Sequence, residues 1–386
     1  MKNIKYFFYA VATLVGYVIG AGIFGLPFAM QKIGFFPAVF LLILLTATAL
    51  IACLSLVEVV LRTKGVHYFP GLAEIYLGKI GRFIQSISTL IGSYGCLLAY
   101  LILGKIFLES LLGTWLKTDS IVFLLVFLIM GAVFIWKGYE NLGKAEIIMS
   151  AFLFGIVALI SLVSVDKIEI SNYLGFHYEK TLSAFGVIIF TLSGVGGIFA
   201  VKQILAGKEK LFKNAVMGAY GVIFIVSLFF SVAMVGVFGD KIGPEAITGI
   251  GGALGGLVEK IAIIFGLLAV FSSFLVVGSN LKNTFHIDFK LSHFISWILV
   301  WSIPPLLYLI GFSDFIAIIS LVGVVFGAMS IIMVTLMLKE SRKKGKRNPE
   351  FKLRIPLWVN YIIIAFYIVG MVGEIRLFVL SWLQSS

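Results

Sequence analysis

Residues Gly16–Pro27 read GYVIGAGIFGLP, with glycine at 16, 20, 22 and 25 and proline at 27. They lie inside an apolar run, 6–31, long enough to cross a bilayer as a helix, which takes about 20 residues. Each glycine costs a helix about 1 kcal/mol relative to alanine, so this run is weakest where it would be deepest. A second run, 182–206, carries Ser193, Gly194, Gly196 and Gly197 at mid-depth, written FTLSGVGGIF. Backbone freed from the helix inside lipid survives only where protein buries it or where it lines a watered cavity. One glycine cluster alone also serves close helix packing. Two interrupted spans at matching places in two halves point to the binding site of a carrier.

The rest of the chain supports a membrane reading. Of 386 residues, 61% are apolar and 12% charged, against about 25% charged in an ordinary soluble protein. Mean hydropathy is +1.11. A water-soluble globule of this size cannot hide so much hydrocarbon. Soluble enzyme, nucleic-acid binder, disordered chain and coiled coil are excluded. Apolar runs bounded by charge or turn residues fall at 6–31, 35–61, 83–112, 120–136, 145–164, 182–206, 214–238, 258–281, 291–310, 315–338 and 356–380. The expectation is an all-α polytopic membrane protein of eleven spans. The first run follows Lys2 and Lys5, but its length and glycine-dense centre differ from a cleaved leader.

Lysine and arginine set the orientation. With the N-terminus in the cytoplasm, 22 of the 30 basic residues face inward and six face outward, while Lys105 and Arg376 lie within spans. An odd number of spans then places the C-terminus outside the plasma membrane. Most of the net charge of +12 is topology; the cluster Arg342–Arg347 reads as a solvated basic loop, with anionic lipid as the alternative.

Spans one and six are corresponding members of two five-span units, about 6–164 and 182–338, with span eleven, about 356–380, as an extra. Five is odd, so the second unit enters from the opposite face and the repeats are inverted. The longest loops, 62–82, 164–181 and 339–355, are too short to fold alone, so 1–386 is one transporter domain. Pro70–Leu77 is expected as a short amphipathic helix at the inner face. A half-helix beginning after Gly22 offers unpaired N–H groups and a positive dipole end to a carboxylate. Half-helices ending near Ile19 and Phe190 offer carbonyls to an ammonium group or a sodium ion. Together they suit an α-amino acid, with the lipid bilayer as the other partner and no enzyme chemistry.

These residues resemble the amino acid/auxin permease family, within the amino acid-polyamine-organocation superfamily, and especially its bacterial aromatic and hydroxy amino acid permeases. The resemblance rests on Gly20–Pro27, on AYLILGK (Ala99–Lys105), on SSFLVVGSNLKNTF (Ser272–Phe285) and on HYFPGLAEIYLGKIGRF (His67–Phe83). It covers spans one to eight; the last three match in hydropathy only. Departures are Lys105, where the family often has an acid, and GVGG in span six, where many relatives carry His and Pro. The resemblance implies the fold of the bacterial leucine transporter, with spans one, two, six and seven rocking against the rest. It also implies that Gly20, Ala21 and Gly22 bind the substrate carboxylate. Phe190, Thr191, Ser193 and Gly194 would face the ammonium, with Tyr100 either at the site or packing. The small glycines of span six leave room for a neutral substrate with a large side chain, aromatic or branched.

For coupling, the resemblance to sodium-driven members implies a cation site of Gly16 and Ile19 on span one with Ala269, Ser272 and Ser273 on span eight. Adjacent serines also serve interhelical hydrogen bonding. Proton coupling is the alternative; its relatives place a lysine midway along span five, where this chain has only Lys144 at the start. Glu58 is expected to pair with Arg62 at a helix end. Lys105 is read as structural, or as an outer-gate pair with Glu109, and Glu374 and Arg376 as peripheral. Cys53 and Cys96 sit in apolar runs and read as packing residues, and the four histidines have no metal-ligand spacing. A non-transporting amino-acid sensor is a rival, but such proteins usually carry an added cytoplasmic domain. A membrane enzyme would need loop clusters of His, Asp or Glu, and a channel a ring of pore charges.

Overall fold

The structure is a computed structural model that describes residues 2–137, 142–176 and 181–385. Its helices are α1 (Lys2–Val18), α2 (Ala21–Ile33), α3 (Phe35–Arg62), α4 (Phe69–Leu116), α5 (Ser120–Lys137), α6 (Leu142–Ser164), α7 (Thr181–Leu192) and α8 (Gly197–Ile204). They continue with α9 (Phe212–Phe238), α10 (Gly251–Leu254), α11 (Gly256–Asn283), α12 (His293–Leu309), α13 (Phe315–Leu321), α14 (Ala328–Lys344) and α15 (Leu357–Ser385). The described residues contain no strand.

Span one is broken where the glycines fall. α1 stops at Val18, α2 starts at Ala21, and the two axes differ by 55°. Gly20 bonds back to Val18 O at 2.9 Å instead of continuing the ladder. Span six is interrupted between Leu192 and Gly197, where Ser193 N bonds Phe190 O at 3.2 Å and Gly197 N bonds Gly194 O at 3.0 Å. The four half-helices pair off, α1 along α8 and α2 along α7. α11 packs along α4, and α14 lies against α3 and α4.

By length and composition, eight helices among the described residues can cross a membrane, or nine when α1 and α2 count as one bent span. Eleven crossings are therefore not all recovered by this measure. α12 has 17 residues, about 26 Å of helix against a hydrocarbon layer of about 30 Å. The side chains of Lys144 and the start of span five, like Lys180, lie outside the described residues.

Several expectations change. α4 begins at Phe69 and turns at Gly78 (φ 74°) before its long apolar part, so the expected short helix precedes span three across a left-handed glycine. Glu58 does more than cap a helix end. It is fully buried and accepts from Arg62 (2.8 and 2.9 Å), from Arg342 (3.1 Å twice) and from Leu353 N (2.8 Å). A carboxylate taken out of water needs this many donors. The basic segment after α14 is thereby docked at Arg342 instead of being solvated throughout, and Arg342 also bonds Leu353 O at 2.7 Å. Lys105 turns to α12, donating to the Tyr308 hydroxyl at 3.0 Å. Glu109 accepts from Ser120 at 2.6 Å, so the Lys105–Glu109 gate pair does not form. Glu374 is buried, not peripheral.

Candidate functional site

Between the two breaks lies a cavity of about 130 Å³, some tenfold more than the roughly 10–15 Å³ one water needs. Its walls come from the end of α1 (Tyr17, Val18), the long part of α4 (Ser88–Tyr100), the end of α7 and the break after it (Ile189–Gly196), α11 (Val277–Leu281) and the turn between α13 and α14. Among the described residues, no Asp, Glu, Lys, Arg or His side chain lines it. Eight aromatic rings do, among them Tyr17, Tyr100, Phe190, Phe199 and Phe326.

One end is closed by Tyr68. Its hydroxyl accepts from Gln203 on α8 (2.9 Å) and Asn283 on α11 (3.0 Å), while Phe199 packs 5.3 Å from its ring. The lid is held from behind: Asp288 accepts from Tyr68 N (3.3 Å) and Gly71 N (2.8 Å), and Arg82 donates to the Asp288 carbonyl at 2.8 Å. Beyond the breaks in the other direction, Phe24 packs on Phe107 (centroids 5.3 Å) and Phe230 (6.4 Å), all three buried.

Tyr100, Phe190 and Ser193, three of the eight expected substrate residues, line the cavity. Gly20, Ala21, Gly22, Thr191 and Gly194 lie buried behind its wall. Space beside Gly20 is occupied by Ser273 Oγ and the Tyr100 ring, 2.6 and 3.0 Å from where a Cβ would stand. Thr191 Oγ1 turns away from the cavity, donating within 2.9 Å of Gly22 O and Val187 O. Ser193 Oγ bonds Ile189 O at 2.8 Å. Both hydroxyls follow the usual back-bonding of Ser and Thr to a helix. No side chain caps the N-terminus of α2 or α8, so their N–H groups keep the positive dipole end. At the opposite terminus, Tyr220 donates to Leu192 O at 2.9 Å and contacts Cys53 Sγ at 3.2 Å, fixing where α7 stops.

The five residues expected to hold a cation gather at the α1–α11 contact. Ser273 Oγ donates to Gly16 O at 2.8 Å. Ile19, Ser272 and Ser273 are buried, and Ala269 is half-buried one turn from Ser273. The Gly16 carbonyl of α1 and the Ser273 hydroxyl of α11 thus satisfy each other directly.

Tyr17, Asn280 and the α4 face Ser88, Thr89, Ser93 and Cys96 also line the cavity, beyond the residues expected from the sequence. A Cβ at Gly197 would stand 2.9 Å from the Tyr17 ring, so the glycines of span six make room for Tyr17. Asn280 donates to Gly196 O at 3.3 Å. The α4 residues had a legible signal: polar or small positions at 88, 89, 92, 93 and 96 lead to Tyr100 at helical spacing. Cys96 is thus a cavity residue; Cys53 is fully buried.

A broken-span bundle around an uncharged cavity is the setting in which similarity to known proteins carries weight. The model of the tryptophan/tyrosine permease family matches residues 3–374. The chain belongs to that family. It is a multi-pass membrane transporter of amino acids and not an enzyme. It is 24% identical to tyrosine-specific transport system 1 of Haemophilus influenzae, over 87% of this chain and 88% of that one. It is 22% identical to glutamine transporter 2 of Aliivibrio fischeri, covering 92% and 93%. In three dimensions this permease matches the structure of MhsT in complex with L-phenylalanine, with a TM-score of 0.69 at 14% identity, covering 96% and 97% of the two chains. That likeness supports the leucine-transporter-type fold.

Proposed function

We propose that this permease is a cation-coupled symporter that carries a neutral amino acid with a large side chain, aromatic or branched, by alternating access. The observation that carries the reading is the cavity between the two breaks, walled by aromatic rings and free of charged side chains. A charged substrate side chain would find no partner there, and burying it unpaired is costly. Rings such as Tyr17, Phe190 and Phe326 suit an apolar or aromatic side chain. A tyrosine-specific relative and a similar fold solved in complex with L-phenylalanine agree with this. The α-carboxylate goes to the Gly20–Gly22 turn, where the N–H groups of Ala21 and Gly22 open α2 without a side-chain cap. The ammonium goes to the carbonyl ends of α1 and α7, near Phe190, Thr191, Ser193 and Gly194, beside Tyr100.

The driving cation in this reading is sodium, held by Gly16, Ile19, Ala269, Ser272 and Ser273; the proton is the alternative. Support comes from the direct Ser273–Gly16 contact, which puts the hydroxyl and carbonyl where one cation would bridge them. The chain forms one transporter domain with repeats at about 6–164 and 182–338, its N-terminus in the cytoplasm and its C-terminus outside the plasma membrane. Tyr68 then closes the cytoplasmic end and Phe24 the outer one.

Labelled amino acids offered to sealed vesicles, with and without a sodium gradient, test this. Expected are accumulation of tyrosine, tryptophan or leucine under the gradient and loss of sodium dependence in Ser273→Ala. Uptake of alanine or serine without competition by the large neutral amino acids refutes the substrate class. Dependence on a proton gradient alone refutes the sodium assignment.

A further inference from the structure

Glu374 is 9% exposed on α15, although a charge inside a span is costly. Its Oε2 accepts from the backbone N–H of Gly186 on α7 at 3.1 Å. A Cβ added at Gly186 would stand 2.8 Å from Glu374 Oε1, 2.7 Å from Ser320 Oγ and closer still to the Ser320 carbonyl oxygen. Three oxygens, from α15 and α13, therefore converge on one glycine of α7. The place is deep. Ser320 lies six residues past Asp314, the residue that caps α13, or about 9 Å along the helix.

Among the described residues, no basic side chain faces the carboxyl from the elements packed on it. α7, α13 and the turn Val322–Gly327 contain no Asp, Glu, Lys, Arg, His, Tyr or Cys. On α15, Tyr367 bonds Thr48 at 3.0 Å, and Arg376 is exposed. On α14 the charges begin at Lys339, 19 residues beyond Ser320. A backbone N–H and neutral oxygens cannot offset an isolated carboxylate in such surroundings. A monovalent cation on the carboxyl, a proton or sodium, can. The position is also mechanical: Gly186 belongs to the half-helix whose far end, Phe190, lines the cavity, and Gly323 is pressed onto α7 at Gly186 O and Phe190 N.

We propose that Glu374 is a cation-coupling site, whose carboxyl holds a proton or sodium ion while α7 packs on α13 and α15 and releases it when they part. The inference rests on the transporter reading and is separate from the five-residue set on α1 and α11. Because occupancy favours one arrangement of span six, a cation gradient across this site biases the movement reciprocally.

The test uses the full chain in liposomes with labelled L-tyrosine. Exchange at equal concentrations needs binding and movement but no driving cation; accumulation needs coupling. One arm imposes a pH difference of one unit without sodium, the other a tenfold sodium gradient at equal pH, each worth about tenfold accumulation for one cation. Expected is wild-type accumulation in one arm, which names the cation. In that arm Glu374→Gln falls to a ratio of about one while its exchange stays within about twofold, and Glu374→Asp regains accumulation. Glutamine keeps an oxygen for Gly186 N–H, so undiminished accumulation by Glu374→Gln overturns the proposal. So does loss of exchange together with accumulation, which marks a structural residue. Absence of tyrosine exchange in the wild type instead sinks the substrate reading and leaves Glu374 to be tested with the amino acid that is exchanged.

Discussion

Gly22→Ala tests the contact on which the site depends. A Cβ there would stand 2.6 Å from Thr191 Cα, 2.8 Å from Thr191 Oγ1 and 3.0 Å from Thr191 N. Two of these atoms are backbone, so relief requires α2 and α7 to separate by most of an ångström. Overpacking of this kind costs about 1–3 kcal/mol. Separation also stretches the 2.9 Å bond from Thr191 Oγ1 to Gly22 O, worth about 0.5–1.5 kcal/mol net. Helix propensity returns about 1 kcal/mol. A net loss of about 0.5–3.5 kcal/mol lowers the population with α2 packed on α7 roughly 2- to 400-fold. Gly221→Ala, on α9, is the control: its Cβ meets nothing within 4 Å, and it is expected to be neutral or slightly stabilising. Melting temperature in detergent and exchange of labelled tyrosine in liposomes read both variants. If Gly22→Ala melts with Gly221→Ala and exchanges within twofold of wild type, the tight α2–α7 contact is not required and the reasoning fails.

Tyr68→Phe removes the acceptor shared by Gln203 and Asn283, costing about 1–3 kcal/mol for the donors left behind. In a Cys53→Ala background, Cys96 in inside-out vesicles should react faster with an impermeant thiol reagent. An unchanged rate means that Tyr68 is not the lid. Glu58→Gln leaves Arg62 and Arg342 facing a neutral group, and breaking a buried ion pair costs about 3–5 kcal/mol. The melting temperature should drop by several degrees, and a drop no larger than that of an exposed Glu169→Gln control would show the cluster to be dispensable.

Local chemistry made the membrane class and both helix breaks legible, because hydropathy and glycine density act over one or two turns. The short helix expected at Pro70–Leu77 was legible for the same reason, whereas its joining to span three through Gly78 was not. The cavity wall on α4 is half legible: Tyr100 stands in a motif of its own, whereas the small and polar positions from Ser88 to Cys96 are scattered among many apolar neighbours. Tyr17 gave no signal of its own, since only the glycines of span six, some 180 residues later, make room for it.

What the chain determined alone was where it must be apolar and where its helices give way, since each segment meets lipid with its own side chains and its own backbone. Only the tertiary structure decided which way polar groups turned. Glu58 gathered Arg342 and Leu353 from nearly 300 residues away, Lys105 chose Tyr308 over the nearer Glu109, and Ser273 closed onto Gly16. Glu374, on α15, came to rest against the half-helix that frames the cavity. Such partners are selected by the cost of leaving a buried polar group unmatched, and that cost is set by which helices meet, not by spacing along the sequence.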